Sequence, residues 1–178
     1  MDLKENKNRP ILATVYAIIF LILLLLVKLN SPIVHGIDHI VQSIVFSFTN
    51  EHLTVLISIL TNFGSPVVSL ILACLVLAFV FFKREYAAAI WGFGTLIIGN
   101  GLAWVFKHIA ARPRPALAQR LAPAHGYSFP SGHVFGTTLF VLLLLTLIVP
   151  RIKNHTTQSV IRVLAVIWVI FIMLSRIY

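Results

Sequence analysis

Long runs without a single charged residue, separated by short polar and basic knots, dominate this chain. Pro10–Val27, His52–Phe82, Tyr86–Phe106 and His133–Val149 contain no Lys, Arg, Asp or Glu, and Thr157–Ser175 is broken only by Arg162. A bilayer core of ~30 Å takes about 20 apolar residues in a helix, and these runs show neither strand alternation nor a heptad seam. They predict membrane spans. The first run follows Lys4, Lys7 and Arg9, and Asn30-Ser31-Pro32 offers no small-residue cleavage site, so it reads as an uncleaved first span. His52–Phe82 exceeds one span, and Thr61-Asn62-Phe63-Gly64-Ser65-Pro66 interrupts it with helix breakers. This predicts an interfacial helix followed by a second span over Pro66–Phe82.

Lys83-Arg84-Glu85 predicts a tight charged turn into the third span, Tyr86–Phe106, where Gly92, Gly94, Gly99 and Gly101 permit close helix packing. His133–Val149 predicts the fourth span and Thr157–Ser175 the fifth, with Arg162 snorkelling at its start. Asn30–Asn50 reads as a connecting segment. Within it His35 and His39 flank Asp38 without a further ligand pattern, and an interfacial helix explains them better than a metal site. The expected fold is all-α: a multi-pass transmembrane helical bundle forming one domain over residues 1–178.

Composition agrees. The chain is 59% hydrophobic and 11% charged, against about 25% charged in soluble domains. Its net charge of +9 does not indicate nucleic acid, because the basic residues sit singly or in pairs between apolar runs and build no continuous face. Anionic membrane lipids are the expected partners of that excess. The single cysteine, Cys74, cannot form an internal disulfide. Counting spans with the N-terminus inside puts eight of the fourteen basic residues on the cytoplasmic side, which the positive-inside rule favours. The opposite side holds Lys28, Lys107, Arg112, Arg114, Arg120 and Arg176, and five of these six flank the ends of spans three and five.

That cluster calls for a partner. The last acidic residue is Glu85, yet eight Lys or Arg follow it. With no carboxylate in the C-terminal half, an anion from outside the chain is the expected counter-ion, and an Mg²⁺ or Ca²⁺ site is disfavoured for want of oxygen ligands. Pro113 and Pro115 bracket Arg114 and hold it extended, so its guanidinium can grip phosphate oxygens bidentately while Lys107 acts as a point charge. Pro130-Ser131-Gly132-His133 immediately precedes the fourth span. Ser131 is placed as a helix N-cap, Gly132 leaves the backbone open to an anion, and the helix N-terminus supplies N–H groups. His133, in the first turn, is placed to give a proton to a departing alkoxide. Each of these features taken singly also fits an interfacial anchor or a plain helix cap.

Taken together, they resemble a known family. Lys107, six intervening residues and Arg114-Pro115 look like the first motif of the type 2 phosphatidic acid phosphatase (PAP2) superfamily. Pro130-Ser131-Gly132-His133 looks like its second, and Ser175-Arg176 like the opening of its third. The resemblance implies a phosphatase that needs no metal or other cofactor and works through a phosphohistidine intermediate. By position, Lys107, Arg114 and Arg176 would bind phosphoryl oxygens, Ser131 and Gly132 would add hydrogen bonds, and His133 would protonate the leaving group. The implied substrate is an amphiphilic lipid phosphate or diphosphate, met at the outer face of the cytoplasmic membrane. Family examples are phosphatidic acid, phosphatidylglycerophosphate and polyprenyl diphosphate.

In the family the third motif runs on from Ser-Arg to a histidine nucleophile and then an aspartate that orients it. Here the sequence ends at Tyr178, with five spans of the family's usual six. His108 and His125 have no carboxylate nearby in sequence and do not replace the nucleophile. The expectation is therefore of a truncated relative that holds phosphate better than it turns it over. A non-catalytic, headgroup-binding membrane protein is the alternative. Oligomeric state is not legible.

Overall fold

The computed structural model describes residues 8–48, 50–114 and 126–177. Lys4, Lys7, Pro115, Arg120 and His125 lie outside the described residues. Helix α1, Asn8–Lys28, has 21 residues. At 1.5 Å per residue it is about 31 Å long, enough to cross a bilayer core. The connecting segment carries a helix around His35 and His39, as expected, forming α2 over Pro32–Ser47. Pro32 opens it, where a missing N–H costs nothing. Ile33, Ile37, Ile40 and Ile44 recur at helical spacing and all are exposed.

Helix α3, Glu51–Phe63, begins with the Leu53 N–H donating to Asn50 Oδ1 at 2.7 Å. The break after it falls where the breaker residues predict. Ser65 Oγ accepts the Val68 N–H at 3.3 Å and so caps α4, Pro66–Phe82, with Pro66 again in the first turn. Arg84 takes a left-handed conformation (φ 63°) in the charged turn, and α5 runs from Tyr86 to Ala110. Helix α6 spans Gly132–Leu143 and does not continue as a plain helix to Val149. It widens into a π turn over Leu144–Ile148 and tightens into a 3₁₀ turn over Val149–Arg151. Pro150 has no N–H, and its ring crowds the carbonyl four residues back, which explains why the regular ladder ends there. Helix α7, His155–Ser175, starts with two N–H groups, of Thr156 and Thr157, on Asn154 Oδ1.

Helix α4 is central, packing against both α5 and α6, while α7 lies against α6 and α3, and α1 against α5. Ala73, Val76, Leu77 and Val80 of α4 meet Leu96 of α5, Leu139 and Leu143 of α6 and Leu147 of the π turn. The outward faces are apolar as well. Ile18, Leu21, Ile71, Leu75, Ile97, Ile98, Val163 and Ile167 are all exposed, the distribution a bilayer requires. Among the described residues, five segments are long and apolar enough to cross a membrane: Pro10–Lys28, His52–Phe82, Tyr86–Ala110, Gly132–Arg151 and His155–Ser175.

The glycines divide. A Cβ on Gly92 would lie 2.4 Å from Leu77 Cδ2, and one on Gly99 would lie 3.0 Å from Leu139. These two admit neighbouring side chains, as expected for packing glycines. Gly94 and Gly101 would meet nothing within 4 Å, so the packing role expected of them is not what the structure shows.

Candidate active site

The site is built from chain ends that antiparallel packing brings to one end of the bundle. Lys107 lies in the last turn of α5. That helix ends at Ala111, which adopts the left-handed conformation (φ 46°, ψ 31°) while its N–H still donates to the Lys107 carbonyl at 3.0 Å. Pro113 then disfavours helix at Arg112 and sends the chain out extended. Arg114 Nε donates to the Gly126 carbonyl at 2.9 Å, and Lys107 Nζ donates to the Tyr127 carbonyl at 3.0 Å. The two predicted phosphate ligands of the first motif therefore both hold the strand that leads into the second.

That strand is clasped again one residue later. The Ser128 N–H donates to the Arg112 carbonyl at 2.9 Å, and Ser128 Oγ lies 3.2 Å from the same oxygen and 3.1 Å from the Pro113 carbonyl. Phe129 stacks on Phe20 of α1 with ring centroids 6.2 Å apart, and Phe20 meets Phe106 edge-on at 4.9 Å. Ser131 occupies the N-cap position of α6, as expected, with extended backbone (φ −70°, ψ 121°), but its side chain makes no capping hydrogen bond. Its carbonyl accepts the Phe135 N–H at 3.0 Å. The hydroxyl is thus not committed to the helix it starts. Gly132 and His133 follow in the first turn, and a Cβ on Gly132 would come 3.4 Å from Pro66 of α4.

A buried polar rung sets the height of that first turn. Thr137, one turn after His133, donates from Oγ1 to the Gly64 carbonyl at 3.2 Å and lies 3.4 Å from Ser69 Oγ. Both hydroxyls are buried, where no water competes for them. The same break places the third motif. Gly64 leaves the space that Ile172 fills: a Cβ there would lie 2.4 Å from Ile172 Cδ1 and 2.8 Å from Cγ1. Ile172 is fully buried, and one helical turn beyond it Arg176 ends α7. Ser175 is committed to the helix end, with its Oγ donating to the Ile172 carbonyl at 2.8 Å. So the interruption at Thr61–Pro66, recognisable as a helix break, also locates His133 through Thr137 and Arg176 through Ile172.

Four cationic or protonatable groups converge here. The Arg114 charge reaches Lys107, His133 and Arg176, and the Arg176 charge reaches His133 as well. Arg176 is half-buried. Burial, with Arg114 beside it, lowers its guanidinium from the ordinary value, although arginine stays protonated. Electrostatics of this sign favour an anion between the groups.

The missing counter-ions are partly found elsewhere. Arg112 pairs with Asp38 of α2, and Arg151 pairs with Glu85. The expectation that C-terminal cations must look outside the chain therefore fails for these two, because a helix and a turn distant in sequence deliver carboxylates to them. The second pair also puts the Lys83–Glu85 turn and Arg151 at the same end of the bundle, as the span count requires. No carboxylate is paired with Lys107 or Arg176 among the described residues. Asp38, Ser128, Thr137 and Gly64 were not marked as site residues by spacing alone. Arg162 donates to Gln158 Oε1 at 3.0 Å, one turn back along α7.

Fold and site together define a multi-pass helical membrane protein with a cationic cluster at one end of its bundle. A family model described as the PAP2 superfamily matches residues 88–178, just over half of the chain. The chain belongs to the PAP2 superfamily. Its fold is similar to the solved structure titled the first transmembrane PAP2 type phosphatidylglycerolphosphate phosphatase from Bacillus subtilis. The TM-score is 0.73 at 19% sequence identity, over 90% of this chain and 81% of that one. No curated protein matches.

Proposed function

We propose that this protein is a lipid phosphatase that removes phosphate from an amphiphilic monoester or diphosphate at the outer face of the cell membrane, without a metal. The observation that carries this reading is the convergence of Lys107, Arg114, His133 and Arg176 from three separate helix ends. Phosphoryl transfer is chiefly positioning plus electrostatic stabilisation, and such a cluster suits it. Lys107, Arg114 and Arg176 hold the phosphoryl oxygens, and Ser131 Oγ and the N–H groups of the first turn of α6 add hydrogen bonds. His133 gives its proton to the leaving oxygen as the P–O bond breaks. In the family's chemistry the attacking group is a histidine carried after Ser-Arg in the third motif: its bond to phosphorus forms as the leaving oxygen departs, and water then cleaves the phosphohistidine to release phosphate. The residues up to Tyr178 supply the phosphate cradle and the proton donor for that chemistry.

The test is phosphate release by the full-length protein from phosphatidic acid or phosphatidylglycerophosphate in detergent, with EDTA present. We expect turnover to persist in EDTA and to be lost in His133→Ala. Turnover that EDTA abolishes would overturn the metal-independent chemistry. Saturable phosphate binding with no release would leave a headgroup-binding protein instead.

A further inference from the structure

Helix α2 is an odd carrier for a long-range ion pair. It has no buried residue, and Asp38 is its only Asp, Glu, Lys or Arg. Yet that one carboxylate meets the guanidinium of Arg112, which stands 74 positions later, two residues before Arg114. Arg112 in turn is the hub of the turn that follows α5. Its carbonyl accepts the Ser128 N–H at 2.9 Å and faces Ser128 Oγ at 3.2 Å, and Ser128 lies five residues before His133. A single residue thus joins α2 through its side chain and the segment leading into the second motif through its backbone.

The charge balance gives this arrangement a consequence. Arg114 already repels Lys107 and Arg176, and a further cation from the same short segment would add to that repulsion or compete for the anion. Paired with Asp38, Arg112 is neutralised and turned toward α2. The planar guanidinium of Arg114 grips phosphate oxygens in one orientation, so its aim depends on how firmly the Arg112–Pro113 backbone is held.

From this we propose that Asp38 is a positioning residue of the phosphate site: by holding Arg112 it fixes the Arg112–Pro113–Arg114 turn against Ser128 and so aims Arg114 at the anion that His133 faces. Asp38 touches neither substrate nor reacting atoms. The proposal rests on the phosphatase reading for its kinetics, but not for its binding measurement.

The experiment compares Asp38→Asn, Asp38→Glu, Arg112→Met and the double variant Asp38→Asn/Arg112→Met in the full-length protein. Steady-state kinetics on a short-chain phosphatidic acid and calorimetric titration with inorganic phosphate alone are measured for each. Misplacement of a binding group by about 1 Å costs on the order of 100-fold in rate, and partial loosening costs less. We expect Asp38→Asn to lower kcat about 10-fold and to weaken phosphate binding several-fold, with Asp38→Glu close to wild type. Because both residues act through one contact, the double variant should be no worse than the poorer single. Glu85→Gln, which breaks the pair at the other end of the bundle, should leave both readouts unchanged.

Wild-type kcat and phosphate affinity in Asp38→Asn would overturn the proposal, as would single-variant losses that multiply in the double. A merely structural role would lower the melting temperature and the two readouts together, without rescue by Asp38→Glu, and that result also overturns it. If the wild-type protein binds phosphate but releases none from lipid, the phosphatase reading fails. The titrations of Asp38→Asn and Asp38→Glu still decide the positioning role in that case.

Discussion

Gly64→Ala tests how the bundle aims its site. The added Cβ would stand 2.4 Å from Ile172 Cδ1, 2.8 Å from Cγ1 and 3.2 Å from Cγ2. Carbon atoms pack at about 3.5–4.0 Å, so the overlap is roughly 1 Å and involves both branches of the side chain. Rotating the end of Ile172 relieves only the first contact. The residue is 0% exposed and branched at Cβ, so it has neither room nor rotamers to withdraw. Helix α7 must therefore shift from the α3–α4 break, at the 1–3 kcal/mol typical of overpacking. Arg176 lies one turn further along α7 and moves with it. A displacement of this size is worth about 100-fold in catalysis if Arg176 binds phosphate.

Two measurements check this. Thermal unfolding in detergent should show the loss of stability, and phosphate release should fall by more than the unfolded fraction explains. Ile172→Ala alone should cost 2–5 kcal/mol through its cavity. The double variant Gly64→Ala/Ile172→Ala should cost less than the two singles combined, because the new methyl then fills part of the vacated space. A Gly64→Ala protein that melts and turns over like wild type would refute the reasoning, as would a double variant whose costs simply add.

Further outcomes are expected elsewhere in the molecule. Gly92→Ala should destabilise by about 1–3 kcal/mol, since its Cβ would be pressed on Leu77, Leu143 and Leu147, whereas Gly94→Ala meets nothing and should gain about 0.5–1 kcal/mol from helix propensity. Paired melting curves separate them. Thr61 Oγ1 is buried without a hydrogen-bond partner among the described residues, so Thr61→Val should raise stability by about 1 kcal/mol; a drop in melting temperature would show that the hydroxyl is satisfied. Arg114→Lys keeps the charge but loses the bidentate fork, and phosphate release should fall on the order of 10–100-fold, a loss that equal kinetics in the two proteins would contradict.

Much of the fold was legible because it is local. A helix in a bilayer satisfies its own backbone, so an uncharged run of adequate length announces a span without reference to any other part of the chain. Pro66 and Ser65 mark the α3–α4 break, and Pro113 marks the exit from α5, through steric effects confined to neighbouring residues. The candidate site residues were legible for a related reason. Lys107, Arg114, Ser131, Gly132, His133 and Arg176 sit at or beside span ends, in the order and spacing of three short motifs.

What tertiary structure alone decided is the pairing of distant parts. Nothing in the spacing of α2 tells Asp38 to meet Arg112, or Glu85 to meet Arg151, and the count of acidic residues in the C-terminal half concealed both pairs. Spacing offered four equivalent glycines in α5, but only the packed neighbours distinguish Gly92 and Gly99 from Gly94 and Gly101. It placed Ser131 correctly as a helix cap yet could not say that its hydroxyl is left uncommitted. The physical reason is common to all three. Hydrophobicity and breaker residues act over a few positions, whereas an ion pair, a methyl-sized gap or an unused hydroxyl depends on which helix faces which. Here α4, packed against both α5 and α6, and Gly64, receiving Ile172, settle that.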